Sequence, residues 1–273
     1  RPSYPLFSFL GNLNDVRMET YPLAYDGQWN IDMEIARHLF CDDTRAFVVV
    51  DPNNPTGSFL RREELKELTA LCRQHNTALI CDEVFSDFAF DRDQDRASLL
   101  DNDQILSFVL GGISKTLGLP QMKLSWIIIN GPQDLVKKAS LRLEVIADTY
   151  LSVNTPTQNA LPLWLSRRKE IQEGINARIG QNYSFLKEET KKTRDCELLA
   201  AEGGWYAVLR IPDTYSEEEW ALAFLNYDHV FVHPGYFFDF DSEAFIIVSL
   251  LTPEHVFQDG INRILKRISG GEL

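Results

Sequence analysis

No run of apolar residues in this 273-residue chain approaches the roughly 20 needed to cross a bilayer. No secretory leader pattern opens it either, so no membrane partner is expected. Cysteine is sparse: Cys41, Cys72, Cys81 and Cys196. No pair of them has zinc-type spacing, and Cys81 lies within an apolar stretch, so reduced thiols and a cytoplasmic placement are expected. Basic residues are few, 27 against 40 acidic ones, which leaves a net charge of −13. Phosphate backbones need a basic face, so nucleic acid is excluded as a partner. Local charge can oppose the total, so the balance says nothing against a small anionic ligand. His229 and His233 stand four apart, as do Glu83 and Asp87. No further ligands converge on either pair in sequence, so no metal is expected. Internal repeats and low-complexity segments are absent.

What is present is a set of short apolar runs, each ending in a reactive stretch. Ile105 to Leu110 is apolar and ends at Gly111 and Gly112, so it reads as a buried strand. GGISKTLGLPQMKLSW follows, residues 111–126, with Lys115 just past the carboxyl end of the strand; a second strand is expected from Leu124 to Ile129. Ala46 to Val50 runs into Asp51-Pro52-Asn53-Asn54-Pro55-Thr56-Gly57, and Ala78 to Cys81 runs into Asp82-Glu83-Val84-Phe85. Between these two strands, Arg61 to His75 has Leu65, Leu68, Leu71 and Cys72 at helical spacing, which makes one right-handed βαβ unit. In an open parallel α/β sheet, ligands bind at the carboxyl edge, where Asn54, Asp82 and Lys115 all fall. Singly, Lys115 reads as a solvated surface amine and Asp82 as a cap for the following turn. Their convergence on one edge favours a site.

NNPTG, then CDEVFSDF, then SK with GLPQMK, in this order and spacing, resembles the class I/II aminotransferases. These are pyridoxal-phosphate enzymes of fold type I, and the resemblance covers nearly the whole chain. It implies an α/β fold: a mostly parallel sheet with flanking helices, forming the large domain, plus a smaller C-terminal α+β domain. It also implies that roughly the first quarter of the family's chain, with a phosphate-binding loop, precedes the segment seen here.

The chemistry needs an imine-forming lysine, an acid at the pyridine nitrogen and donors for the phosphate. By resemblance Lys115 is the catalytic lysine and Asp82 pairs with the pyridinium. Asn54 donates to the ring oxygen, Tyr4 stacks on the ring, and Ser114 and Lys123 hold the phosphate. A partly desolvated Lys115 becomes a usable nucleophile and later a general base. Three departures stand out. Phe85 lies where the family often has a tyrosine whose hydroxyl touches the ring oxygen. Lys123 replaces an arginine, keeping the charge but losing the bidentate fork. Ile247 falls where an arginine that grips the substrate carboxylate is expected; Arg210 is a candidate substitute without a motif behind it.

The remaining chain is read more coarsely. Residues 8–30 look loop-like, 31–40 helical, and 91–103 a polar surface loop. Helices are expected over 132–150 and 155–165, the latter interrupted by Pro162. A long helix over 167–193 carries a stripe of Ile171, Ile175, Ile179, Tyr183 and Leu186, read as interdomain core. Short strands at 197–200, 205–209, 230–232 and 245–250 and helices at 216–226 and 253–269 form the smaller unit. Gly203-Gly204 suits a turn or a close backbone approach. The domains are therefore drawn as 1–166, cofactor-binding, and 167–273, the linking helix with the small domain. The expected activity is aminotransfer between an amino acid and a 2-oxo acid, in a homodimer as the family implies. Two alternatives remain: a pyridoxal-phosphate lyase on the same fold, and a non-catalytic binding module.

Overall fold

The computed structural model describes residues 1–91, 96–242 and 244–271. The chain opens with α1 (Leu6–Leu13), an antiparallel hairpin of β1 (Leu23–Tyr25) and β2 (Trp29–Ile31), and α2 (Met33–His38). A four-stranded sheet follows, made of β3 (Ala46–Val50), β4 (Ala78–Asp82), β5 (Ser107–Gly112) and β6 (Ser125–Asn130), in that spatial order. α3 (Arg62–His75) crosses between β3 and β4, and α4 (Ile113–Thr116) sits between β5 and β6. β3, β4 and β5 are parallel, with Val50 beside Asp82 and Asp82 beside Leu110, and β6 runs antiparallel to β5. Fixed register brings the residues after all three parallel strands to one edge.

The sheet forms here because its runs are short, β-branched and apolar on both faces. α3 covers one face by burying Leu68 and Cys72, which pack with Val49, Leu79, Cys81 and Val109. Three helices then lead away: α5 (Gln133–Thr149), α6 (Thr155–Ser166) and α7 (Arg168–Thr190). The second sheet is antiparallel throughout, with β7 (Glu197–Leu198), β8 (Tyr206–Arg210), β10 (Phe245–Ser249) and β9 (His233–Pro234) in that order across it. α8 (Glu217–Asp228) and α9 (Glu254–Gly270) complete it. α8 starts with a reciprocal cap. The Ser216 hydroxyl accepts from the Glu219 N–H at 3.2 Å, and the Glu219 carboxylate accepts from the Ser216 N–H at 2.8 Å. Glu217 is buried and ties α8 to the rest by accepting from the Tyr236 and Phe245 N–H groups, each at 2.8 Å.

The fold is α/β with a mostly parallel first sheet and flanking helices, as expected, and the differences are local. Residues 8–30 contain α1 and the β1–β2 hairpin rather than loop alone. Asp26-Gly27 lies in the hairpin turn, and Gly27 takes φ +101°, which glycine adopts freely. The expected strand at 230–232 shifts to β9, because β10 offers its pairing partners, Ile246 and Ile247, to Pro234 and His233. α6 runs straight through Pro162. Residues 92–95, part of the expected surface loop at 91–103, lie outside the described residues. On the α7 stripe, Ile179 and Leu186 are buried in the cluster that also takes in Phe85 and Phe88 from the first sheet's edge, whereas Ile171 packs elsewhere.

Candidate active site

Each sequence-predicted residue is held by a short connection at the sheet's carboxyl edge or by a segment leaning on it. β3 ends in a loop that closes on itself: the Asn53 N–H donates to the Ser58 carbonyl and the Gly57 N–H to the Asn53 carbonyl, both at 2.8 Å. The Thr56 hydroxyl donates to Asn53 Oδ1 at 3.0 Å. Gly57 has φ +71°, and a Cβ there would stand 2.4 Å from the Gly203 carbonyl oxygen. The loop therefore presses on the segment that leads into β8. Asn54 rides on this loop, and its amide oxygen is buried with no partner among the described residues.

Asp82 ends β4, where its carboxylate accepts from the Val84 N–H at 3.2 Å. Burial raises its carboxyl above the ordinary range, opposed by that N–H and by Lys115. Lys115 sits in α4, one short turn after β5. Burial lowers its amine below the usual lysine range, and the nearby Asp82 charge works the other way. Two aromatic rings, Phe85 and Trp205, lie side by side next to this amine, each with its ring centre 5.0 Å from Nζ. Phe85, Phe88 and Trp205 pack edge to face, at 5.3 Å and 4.9 Å from the Trp205 ring. The structure thus brings Asp82, Phe85 and Lys115 together, and adds Trp205. Sequence reasoning missed Trp205; the signal was Gly203-Gly204 just before it, whose close approach to the 53–58 loop delivers the indole.

The other candidates are more peripheral. Ser114 is half-buried beside Lys115, and Lys123 is exposed at φ +53°, with no partner among the described residues. Tyr4 is 51% exposed and leans towards Phe238, at 6.4 Å between ring centres. It lines an aromatic cleft of about 520 Å³ together with Tyr206, His233 and Tyr236. Its neighbour Ser3 reaches back to the loop after β3, accepting from Asn53 Nδ2 at 3.4 Å. Arg210 lies at the far end of β8 from Trp205 and pairs with Glu197 at 2.7 Å. Ile247 is fully buried in β10, which contains no arginine.

Beneath Asp82, the side chains of Asp51, Cys81 and Glu83 converge, their ligand atoms within 4.8 Å of one another. Burial pushes all three towards their neutral forms, Asp51 to about 7. The Asp51 carboxylate also accepts from the Leu60 N–H at 2.8 Å.

Lys115 and Asp82 thus lie at the carboxyl edge of the parallel strands, near enough for each to shift the other's charge. Comparison with known proteins identifies the family. The family description aminotransferase class I and II matches residues 1–262. The chain belongs to this family. Glutamate-pyruvate aminotransferase AlaA of Escherichia coli strain K12 is 29% identical over 174 residues, which cover 64% of this chain and 43% of that protein. The tyrosine aminotransferase of Dictyostelium discoideum is 24% identical over 97% of this chain and 66% of its own. Among solved structures, the tyrosine aminotransferase of Leishmania infantum superposes with a TM-score of 0.89 at 22% identity, covering 98% of this chain and 67% of that one. The alanine aminotransferase of Pyrococcus furiosus gives 0.89 at 19% identity, over 98% and 69%. At these identities the structural likeness establishes the fold of this aminotransferase family member. No helix among its described residues is long and apolar enough to cross a membrane.

Proposed function

We propose that this protein is a pyridoxal-phosphate-dependent aminotransferase that moves an amino group between an amino acid and a 2-oxo acid. The observation that carries this reading is the Lys115 amine, partly desolvated, within electrostatic reach of Asp82 and beside the Phe85 and Trp205 rings. The residues present suit the cofactor. An amine of lowered proton affinity is available for attack on an aldehyde, and a half-buried acid is available for a ring nitrogen.

When bound, pyridoxal phosphate supplies an aldehyde that condenses with amines and a ring that accepts an electron pair. Lys115 would hold the aldehyde through its amine, whose neutral form burial favours. Its Nζ would also be the group that moves a proton at the substrate α-carbon, as base and then as acid. By the family resemblance, Asp82 would hold a proton at the ring nitrogen, Asn54 would donate to the ring oxygen, Phe85 and Tyr4 would contact the ring, and Ser114 and Lys123 would take the phosphate. Residues 1–166 form the cofactor domain in this reading, and 167–273 the linking helix and small domain, a division supported by the two separate sheets. The four free cysteines fit a reducing, cytoplasmic setting, and the family resemblance implies a homodimer.

A β-eliminating lyase on the same fold is the second reading, favoured by the buried Ile247 where a carboxylate-binding arginine is expected. Turnover separates the two. The aminotransferase forms a 2-oxo acid from an amino acid only when a 2-oxo-acid acceptor is added. Release of pyruvate and ammonia without an acceptor establishes the lyase instead.

A further inference from the structure

The aromatic cleft of about 520 Å³ has the size of a small-ligand pocket. Phe238 is its hub, with the rings of Tyr4, Tyr206 and His233 around it at 6.4, 6.4 and 6.2 Å between centres. Two of these residues are tied to the candidate site. Ser3, next to Tyr4, accepts from Asn53 in the loop that carries Asn54. Tyr206 follows Trp205, whose ring centre lies 5.0 Å from Lys115 Nζ. On the reading above Tyr4 contacts the cofactor ring, so a substrate held on that cofactor has this cleft beside it.

Among the described residues, no lysine or arginine lines the cleft. Ile247 stands opposite both Val208 and His233 in the second sheet, and residues directly opposite share a face. Tyr206, two residues before Val208, shares it too. The face on which an arginine is expected therefore presents a fully buried Ile247 and an imidazole. Burial lowers the His233 imidazole below its usual range, which favours its neutral form. Asp239 adds a carboxylate to the lining. A second carboxylate entering here would lose hydration with no cation to meet it and an acid as neighbour. An aromatic ring would gain contact with the surrounding rings.

We propose that this cleft takes the side chain of the amino donor and selects amino acids with an uncharged aromatic side chain over acidic ones. The inference rests on the aminotransferase reading and names its substrate class. Tyr206 and Tyr236 are the selecting walls, and His233 occupies the position from which a cation would reverse the choice.

The test begins with binding, without turnover. The full chain loaded with pyridoxal phosphate is titrated calorimetrically with 3-phenylpropionate and with glutarate, which share one carboxylate and differ at the other end. 3-Phenylpropionate is expected to bind at least about tenfold more tightly. Tyr206→Ala should weaken it about tenfold. Tyr236→Ala, at a half-exposed position that leaves the core intact, should weaken it in the same direction. His233→Arg should strengthen glutarate instead. In turnover with a 2-oxo-acid acceptor, kcat/KM for phenylalanine should exceed that for glutamate by about 10²-fold. Glutarate binding as tightly as 3-phenylpropionate overturns the inference, as does a preference for glutamate or unchanged binding in both tyrosine variants. If 3-phenylpropionate binds and the tyrosine variants weaken it, but no band that borohydride removes is formed, the aminotransferase reading fails and the cleft's assignment to an amino donor is overturned with it.

Discussion

Lys115 is tuned by opposing forces of unequal size. Burial favours its neutral amine, the Asp82 charge favours the ammonium, and burial dominates. The two aromatic faces at 5.0 Å add attraction for the charged form without supplying a proton acceptor. Removing the charge at Asp82 therefore leaves burial less opposed. In Asp82→Asn, without cofactor, the midpoint for labelling Lys115 with an amine-reactive reagent is expected to fall to lower pH; an unchanged or higher midpoint contradicts this balance. The same change removes the acid proposed for the ring nitrogen, so aminotransfer should drop on the order of 10²-fold or more. Lys115 and Asp82 were legible in the sequence because each closes an apolar run that can only be a buried strand. Trp205 was not. Its meaning depends on where a Gly-Gly turn delivers it, and a tryptophan opening an expected strand at 205–209 reads as ordinary core.

At the scale of elements, the site depends on the loop after β3 meeting the segment before β8. Gly57 makes this contact, with φ +71° and no room for a Cβ beside the Gly203 carbonyl. Glu202 locks the same junction, pairing with Arg61 at 2.7 Å and accepting from the Phe59 N–H at 3.1 Å. Gly57→Ala is expected to destabilise the fold by about 1–3 kcal/mol, read from urea unfolding, and to weaken cofactor binding more than a comparable change on α5. Unfolding at the parent's urea midpoint would show that the junction relaxes freely. The strand-helix-strand unit was legible because period and length agree over β3, α3 and β4. The β1–β2 hairpin was not read, although Asp26-Gly27 is a strong turn signal, because its strands are only three residues long. β9 was displaced from its expected position because strand pairing, not local composition, decides which residues of an apolar run join a sheet.

Across the whole molecule, one core joins the two sheets. Phe85 and Phe88 from the first sheet's edge pack with Ile179 and Leu186 of α7 and with Ala207, Leu209 and Ile246 of the second sheet. The catalytic candidates therefore lie where the two layers meet, and the lysine's burial is a property of their packing rather than of α4 alone. The central claim is that this packing makes one lysine the carrier of an aldehyde cofactor. The direct measurement is to load the full chain with pyridoxal phosphate, reduce with borohydride and map the modified peptide by mass spectrometry. The tag is predicted on Lys115, and Lys115→Ala is predicted to remove it along with the visible band. A tag on another lysine, or a band that persists in Lys115→Ala, would contradict the account.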